Sequence, residues 1–175
     1  MKKTNKGFKE WDVVVEALGK GLQTILIRKN RTASKGFLLY PSYAYSLKKD
    51  YLQMFKEKFR PFVKKNTTPY KKRDKIELKY FAEVVNIIKI SPKNLSALNK
   101  YHIWQRNHVK SYLDNKDGYV WLIRVYELNQ HYIVDQNRGM RFVNLRNNVS
   151  LANKTPIISD EEFLKISDQI MKIRS

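Results

Sequence analysis

Ile76-Glu77-Leu78-Lys79 sets a carboxylate and an ammonium two residues apart on an alternating stretch, so both polar side chains leave the same face of a strand. That is the Glu-x-Lys part of a metal-dependent nuclease of the PD-(D/E)xK type, which also needs an Asp on a neighbouring strand. Asp74 is too near in sequence and Asp50 falls on an expected helix, so catalysis by Glu77 and Lys79 stands as an alternative reading. The three histidines, His102, His108 and His131, lack metal-ligand spacing: His102 and His108 lie six apart on an expected helix and point in diverging directions, about 120° apart around its axis. Without cysteine there is no thiol nucleophile, no Cys-rich zinc site and no disulfide scaffold. No Ser-His-Asp set, phosphate-cradling glycine loop or dinucleotide fingerprint occurs, and neither a metal nor another cofactor is expected.

What the chain offers in quantity is cation. Lys and Arg number 35 against 16 Asp and Glu, a formal charge of +19, and Arg31 to Tyr80 holds fourteen basic residues against four acidic ones. Such a surface recruits polyanions, because each phosphate neutralised by Lys or Arg releases condensed counterions. Aromatic residues are interleaved with the charge: Phe55, Phe59, Phe62, Tyr70, Tyr80 and Phe81 stand among Lys56, Lys58, Arg60, Lys64, Lys65, Lys71, Lys72 and Arg73, with Phe55, Phe59 and Phe81 also expected in the core. Ring faces beside cations suit unstacked bases as well as phosphates. The expected partner is therefore nucleic acid, DNA or RNA, gripped by a basic helix with Lys48, Lys49 and Lys56 and by the loop with Lys64, Lys65, Lys71, Lys72 and Arg73. Further candidates are His102 beside Trp104, Arg124 interrupting an apolar strand, and Arg138 and Arg141 around Gly139. A protein-interaction module for an acidic partner is the other alternative.

Positioning these residues requires one core, since 175 residues with 42% hydrophobic content are too few for two comfortable ones. The reading is a single domain over 1–175. Lys9 to Leu18 has helical spacing that Gly19 and Gly21 stop, and strands are expected over Leu22 to Arg28 and Phe37 to Tyr40, the latter closed by Pro41. The spacing of Leu47, Tyr51, Met54, Phe55 and Phe59 predicts a helix over Tyr45 to Arg60, with Lys48, Lys49, Lys56 and Lys58 pointing away from the core and Pro61 at its end. Residues 60–75 read as a basic flexible loop. Ile76 to Ile90 is a long strand whose alternation slips near Val84, the signature of a β-bulge. Pro92 opens a short helix, Tyr101 to Leu113 another, and strands follow over Tyr119 to Leu128 and Met140 to Leu145. Ser159-Asp160-Glu161-Glu162 is a capping box for a C-terminal helix over 159–174. This order is α+β: a curled, mainly antiparallel sheet or small partly open β-barrel with flanking helices. No segment approaches the ~18 uncharged residues of a membrane span, so a cytoplasmic protein without membrane association is expected.

Five segments together carry a resemblance: Lys9-Glu10-Trp11 with Glu16-Ala17-Leu18, Arg28-Lys29, Phe37-Leu38-Leu39-Tyr40-Pro41, Ala82-Glu83-Val84 with His102-Ile103-Trp104, and Arg124-Val125-Tyr126. In this order they resemble the bacterial family catalogued as domain of unknown function 1802, over Lys9 to about Phe163. Members tend to follow the Arg-Lys pair with two glycines and an acidic residue, where this chain has Asn30, Arg31 and Thr32, and to place His-Gln near Ala44 and Tyr45. Catalysis resting on those groups would be lost here, which favours binding. A weaker resemblance is to ASCH domains, relatives of the RNA-binding PUA fold, in which a helix runs into Gly-x-Lys-x-x-Glu-x-Arg. Gly21 and Arg28 match in place, while Gln23 stands for Lys and Leu26 for Glu. The resemblance implies a PUA/ASCH-like fold; with it, a base-reading pocket is expected near Gln23, Arg28 and Arg124, and Lys29 is a further nucleic-acid-binding candidate.

Overall fold

The computed structural model describes residues 2–69, 74–137 and 139–173. A seven-stranded, mostly antiparallel sheet carries the molecule. Its strands are β1 (Lys3–Trp11), β2 (Ile25–Arg28), β3 (Gly36–Ser42), β4 (Lys75–Ile90), β5 (Gly118–Asp135), β6 (Phe142–Ser150) and β7 (Thr155–Pro156). Its helices are α1 (Asp12–Gly19), α2 (Arg60–Asn66), α3 (Arg106–Tyr112) and α4 (Asp160–Met171). The strand order is β2-β5-β4-β3-β1-β6, with β7 added on β5 and only β1–β3 parallel. The sheet is curled and unclosed, as the α+β reading requires.

Alternation along the strands divides the core between two faces. On β3, Phe37 and Leu39 join α1 residues Val13, Val14 and Leu18 on one face, while Leu38 and Tyr40 join Leu78, Phe81, Val143 and Val149 on the other. On β2, Leu26 joins the cluster of α1, and Ile25 and Ile27 join Val109 of α3, Leu113 just past its end, and Phe163 and Ile170 of α4. Helix α1 ends where its glycines dictate. Gly21 has φ +68°, its N–H donates to the Leu18 carbonyl at 3.2 Å and that of Leu22 to Ala17 at 2.9 Å. Gly19 admits the Tyr80 ring, whose Cζ would lie 2.2 Å from an added Cβ.

Strand β4 slips register between Val84 and Asn86, where the alternation breaks, and again between Leu78 and Tyr80. Ser159 caps α4 by accepting the Glu162 N–H at 3.2 Å. Elsewhere the sequence reading needs correction. Lys3–Trp11 is a strand, so the first helix begins at Asp12 rather than Lys9. The expected helix over Tyr45 to Arg60 is three short 3-10 turns, Ala44–Leu47, Tyr51–Met54 and Glu57–Phe59. The reason is tertiary: Phe55 is extended to bridge Trp104, which breaks the helical run. The same bridge keeps Tyr101–Gln105 out of α3, which starts at Arg106. Pro61 sits in the first turn of α2, where its missing N–H costs nothing, and Arg60–Asn66 is thereby helix rather than loop. Pro41 lies within β3 rather than closing it. Residues 70–73 of the expected flexible loop lie outside the described residues.

Candidate nucleic-acid interface

The curl brings the end of edge strand β2 opposite the end of β1. No backbone pairing between these strands occurs among the described residues; side chains join them instead. The Arg28 Nη2 donates to the Glu10 Oε2, its Nη1 donates to the Ile27 carbonyl at 2.8 Å, and its Cζ lies 5.2 Å from the Phe8 ring centre. Both partners of this ion pair are nearly buried, with side chains 11% and 8% exposed. Arg28 Nε is buried without a partner.

Over this pair opens a cleft of about 490 Å³. One wall is aromatic. Trp11 and Trp104 meet edge-on at 4.8 Å, His108 stacks on Trp104 at 5.0 Å, and behind them Tyr45 stacks on Trp11 at 4.3 Å and Phe55 on Trp104 at 4.6 Å. The remaining wall is cationic, formed by Lys9, Lys48 and Arg141. Lys9 Nζ donates to the Gly139 carbonyl at 3.0 Å, and Arg141 Nη1 to the Tyr112 hydroxyl at 3.4 Å; neither forms an ion pair among the described residues. Four cations thus line the cleft against one carboxylate, Glu10.

The electrostatics follow from this imbalance. Burial pushes the Arg28 guanidinium down to about 10, and Arg141 pushes the same way, yet it stays charged at neutral pH. Burial raises the Tyr112 phenol, but the positive charge of Arg28 and Arg141 outweighs it and the net direction is down. Burial, then the charge of Lys48, lowers His108 and keeps its ring neutral at pH 7. The cleft therefore presents flat neutral rings beside uncompensated positive charge.

Of the residues singled out from sequence, Arg28, Lys48 and Arg141 come together here. Lys29 stands just beyond, 5.7 Å from the Tyr112 ring centre and paired with Asp114 at 2.5 Å. Lys49 is exposed next to Lys48. Gln23 and Arg124 do not share the pocket expected for them. Gln23 is 2% exposed, donates to the Ile25 carbonyl at 2.9 Å and accepts the Ile103 N–H at 3.2 Å, so its amide knits the interior. Arg124 pairs with Asp160 at the start of α4 and lies 5.1 Å from the Phe163 ring centre. Lys56 points inward instead of outward, donating to the carbonyls of Asn99 and His102, and His102 is itself 2% exposed. Lys64 and Lys65 are exposed at the end of α2. Lys71, Lys72, Arg73 and Arg138 lie outside the described residues.

Glu77 and Lys79 line a second cleft, of about 530 Å³, with Asp12 and Glu16. Each carboxylate there is engaged. Glu16 pairs with Lys79 at 2.6 Å and Glu77 with His131 at 2.9 Å. Asp12 accepts from the N–H groups of Val13 and Thr68, both at 2.7 Å, and from the Tyr45 hydroxyl. Among the described residues no group of three or more His, Asp or Glu is placed to hold a metal ion.

Sequence reasoning by residue type missed Lys9, Glu10, Trp11, His108 and Tyr112 as cleft residues. A signal was present: the segments Lys9-Glu10-Trp11, Arg28-Lys29 and His102-Ile103-Trp104, on which the family resemblance rests, supply five of the cleft's lining residues.

The profile of the family described as "Domain of unknown function (DUF1802)" matches residues 7–169. No curated protein sequence matches the chain. Among solved structures, the ASCH protein from Zymomonas mobilis aligns over 97% of this chain and 95% of its own, at 11% identity and a TM-score of 0.45. Two mutant forms of it align similarly: one over 93% and 96% at 10% identity and TM-score 0.45, the other over 96% and 98% at 12% and 0.43. No helix among the described residues is long and apolar enough to cross a membrane.

Proposed function

We propose, for a chain that belongs to the DUF1802 family, a nucleic-acid-binding function in which the cleft between β1, β2 and α3 admits an unpaired base and the cations around it hold phosphate. The carrying observation is the composition of that cleft: four cations against one carboxylate, facing neutral aromatic rings. Its volume lies in the range of small-molecule sites, roughly 300–1,000 Å³, which is also ample for a nucleotide. Base stacking on such rings contributes about 1–3 kcal/mol per base and tolerates any base, because every base has a π-face.

The Arg28–Glu10 pair supports the same reading. Replacing a buried ion pair with apolar side chains is often neutral or stabilising, by about 1–4 kcal/mol. Such a pair is thus a poor device for stability alone, and it sits on the floor of the cleft with an Arg28 N–H unpartnered. The net charge of +19 adds long-range attraction for any polyphosphate.

The test is salt dependence of binding to a labelled single strand. With about 0.7 counterions released per phosphate contact on single strands, changing Lys9, Lys48 and Arg141 together to Gln should flatten the log-log plot by about two units. An unchanged slope in the triple variant would remove the cleft from the binding surface.

A further inference from the structure

Three exposed apolar side chains stand next in sequence to residues that line the cleft. Met140 is 82% exposed and stands between Gly139 and Arg141, both of which line the cleft. Phe142, the first residue of β6, is 42% exposed, with its ring centre 4.9 Å from that of Phe8. Leu47, 65% exposed, immediately precedes the lining residue Lys48. Single exposed apolar side chains are ordinary, but three of them next to lining residues of one cleft are the kind of display that marks an interaction site.

The charges mixed among these side chains decide the occupant. Lys48 and Lys49 follow Leu47, and Arg141 separates Met140 from Phe142, so each apolar group has a cation beside it. An apolar peptide or a lipid tail would leave these ammonium and guanidinium groups without partners. A strand of unpaired nucleotides satisfies both, since its bases seek apolar or aromatic faces while its phosphates, one per nucleotide, meet the cations. A duplex satisfies only the cations, because its bases are already stacked.

Resting on the cleft reading above, we infer that the ligand is a single-stranded segment of several nucleotides that passes through the cleft and continues onto Met140, Phe142 and Leu47. The ligand class is thereby narrowed: unpaired strand over duplex, and oligonucleotide over mononucleotide.

Affinity would be measured by fluorescence anisotropy for a single-stranded 12-mer, the same sequence as a blunt duplex and a mononucleotide competitor. The variants are Leu47→Ser/Met140→Ser, whose parent side chains are exposed enough to spare the fold, and Arg141→Gln. The expected order is single strand about tenfold or more over duplex, with the mononucleotide weaker still. The double serine variant should lose about tenfold for the single strand at an unchanged salt slope, whereas Arg141→Gln should lower the slope. Equal affinity for strand and duplex, or a double variant that binds like the parent while Arg141→Gln still weakens binding, would overturn this inference and leave the cleft reading standing. Loss of neither with either variant would overturn both.

Discussion

His102 shows how a residue that reads as surface chemistry becomes interior structure. Its Nδ1 accepts the Trp104 N–H at 3.2 Å, and burial, reinforced by the charge of Lys56, pushes its pKa down to about 3. An ordinary histidine titrates near 6.5, so the unfolded chain takes up a proton before the folded one does as pH falls. The stability conferred by the neutral ring is complete above about pH 6.5 and is lost progressively towards about pH 3. By linkage the full shift corresponds to a loss on the order of 5 kcal/mol. His102→Asn keeps an acceptor near Nδ1 and removes the titration. Urea midpoints followed from pH 7 to pH 4 should therefore fall less steeply in the variant than in the parent. Equal slopes would place the acid sensitivity elsewhere.

At the scale of elements, the aromatic wall of the cleft is built by two segments that are neither strand nor regular helix. The 3-10 turns of 44–59 and the extended run 102–105 hold each other through the Phe55–Trp104 bridge, the Gln105 N–H donating to the Met54 carbonyl at 2.7 Å and the Lys56 N–H donating to Ile103 at 3.1 Å. The Lys56 ammonium adds bonds to two carbonyls, at the cost of burial that lowers its pKa to about 8. Lys56→Met should thus act on the wall and not on phosphate contacts. The expected result is a loss of about 1–3 kcal/mol, the cost of buried carbonyls left unpartnered, together with faster hydrogen exchange at the Gln105 amide. The salt slope of nucleic-acid binding should stay as in the parent; a slope reduced by about one unit would return Lys56 to the binding surface.

For the whole molecule, the question is whether a chain this basic cuts what it attracts. A catalytic Mg²⁺ is usually held through carboxylates with oxygens to spare. In the second cleft Glu16 is held by Lys79, Glu77 by His131 and Asp12 by three donors. Recruiting a metal there would require breaking those contacts. Glu77→Ala is accordingly expected to leave nucleic-acid binding unchanged, and millimolar Mg²⁺ to shift neither the melting temperature nor the integrity of a labelled strand. Mg²⁺-dependent cleavage that disappears in Glu77→Ala or Lys79→Ala would replace the binding assignment with a nuclease.

The sequence by itself determined whatever is written in local periodicity. The bulge near Val84 appears as a break in alternation, α4 as a capping box before a 3.6-residue apolar stripe, and the end of α1 as Gly19 and Gly21, because each depends on neighbours within a turn or two of chain. The charge of +19 is equally independent of fold. Strand β1 was hidden because Lys3, Lys6 and Lys9 dilute its apolar signal; its partners β3 and β6 lie far along the chain and supply the pairing that makes it a strand. The helix expected over Tyr45 to Arg60 failed for a similar reason, since the pull of Trp104 on Phe55 outweighs a local helical preference. The cleft was decided by tertiary structure alone. Glu10 and Arg28, eighteen residues apart, meet only because the sheet curls, and the same curl sets Lys9 and Trp11 against Trp104, His108 and Arg141. Side chains far apart in the chain share a site through the curl of the sheet, and no spacing within the sequence encodes that approach.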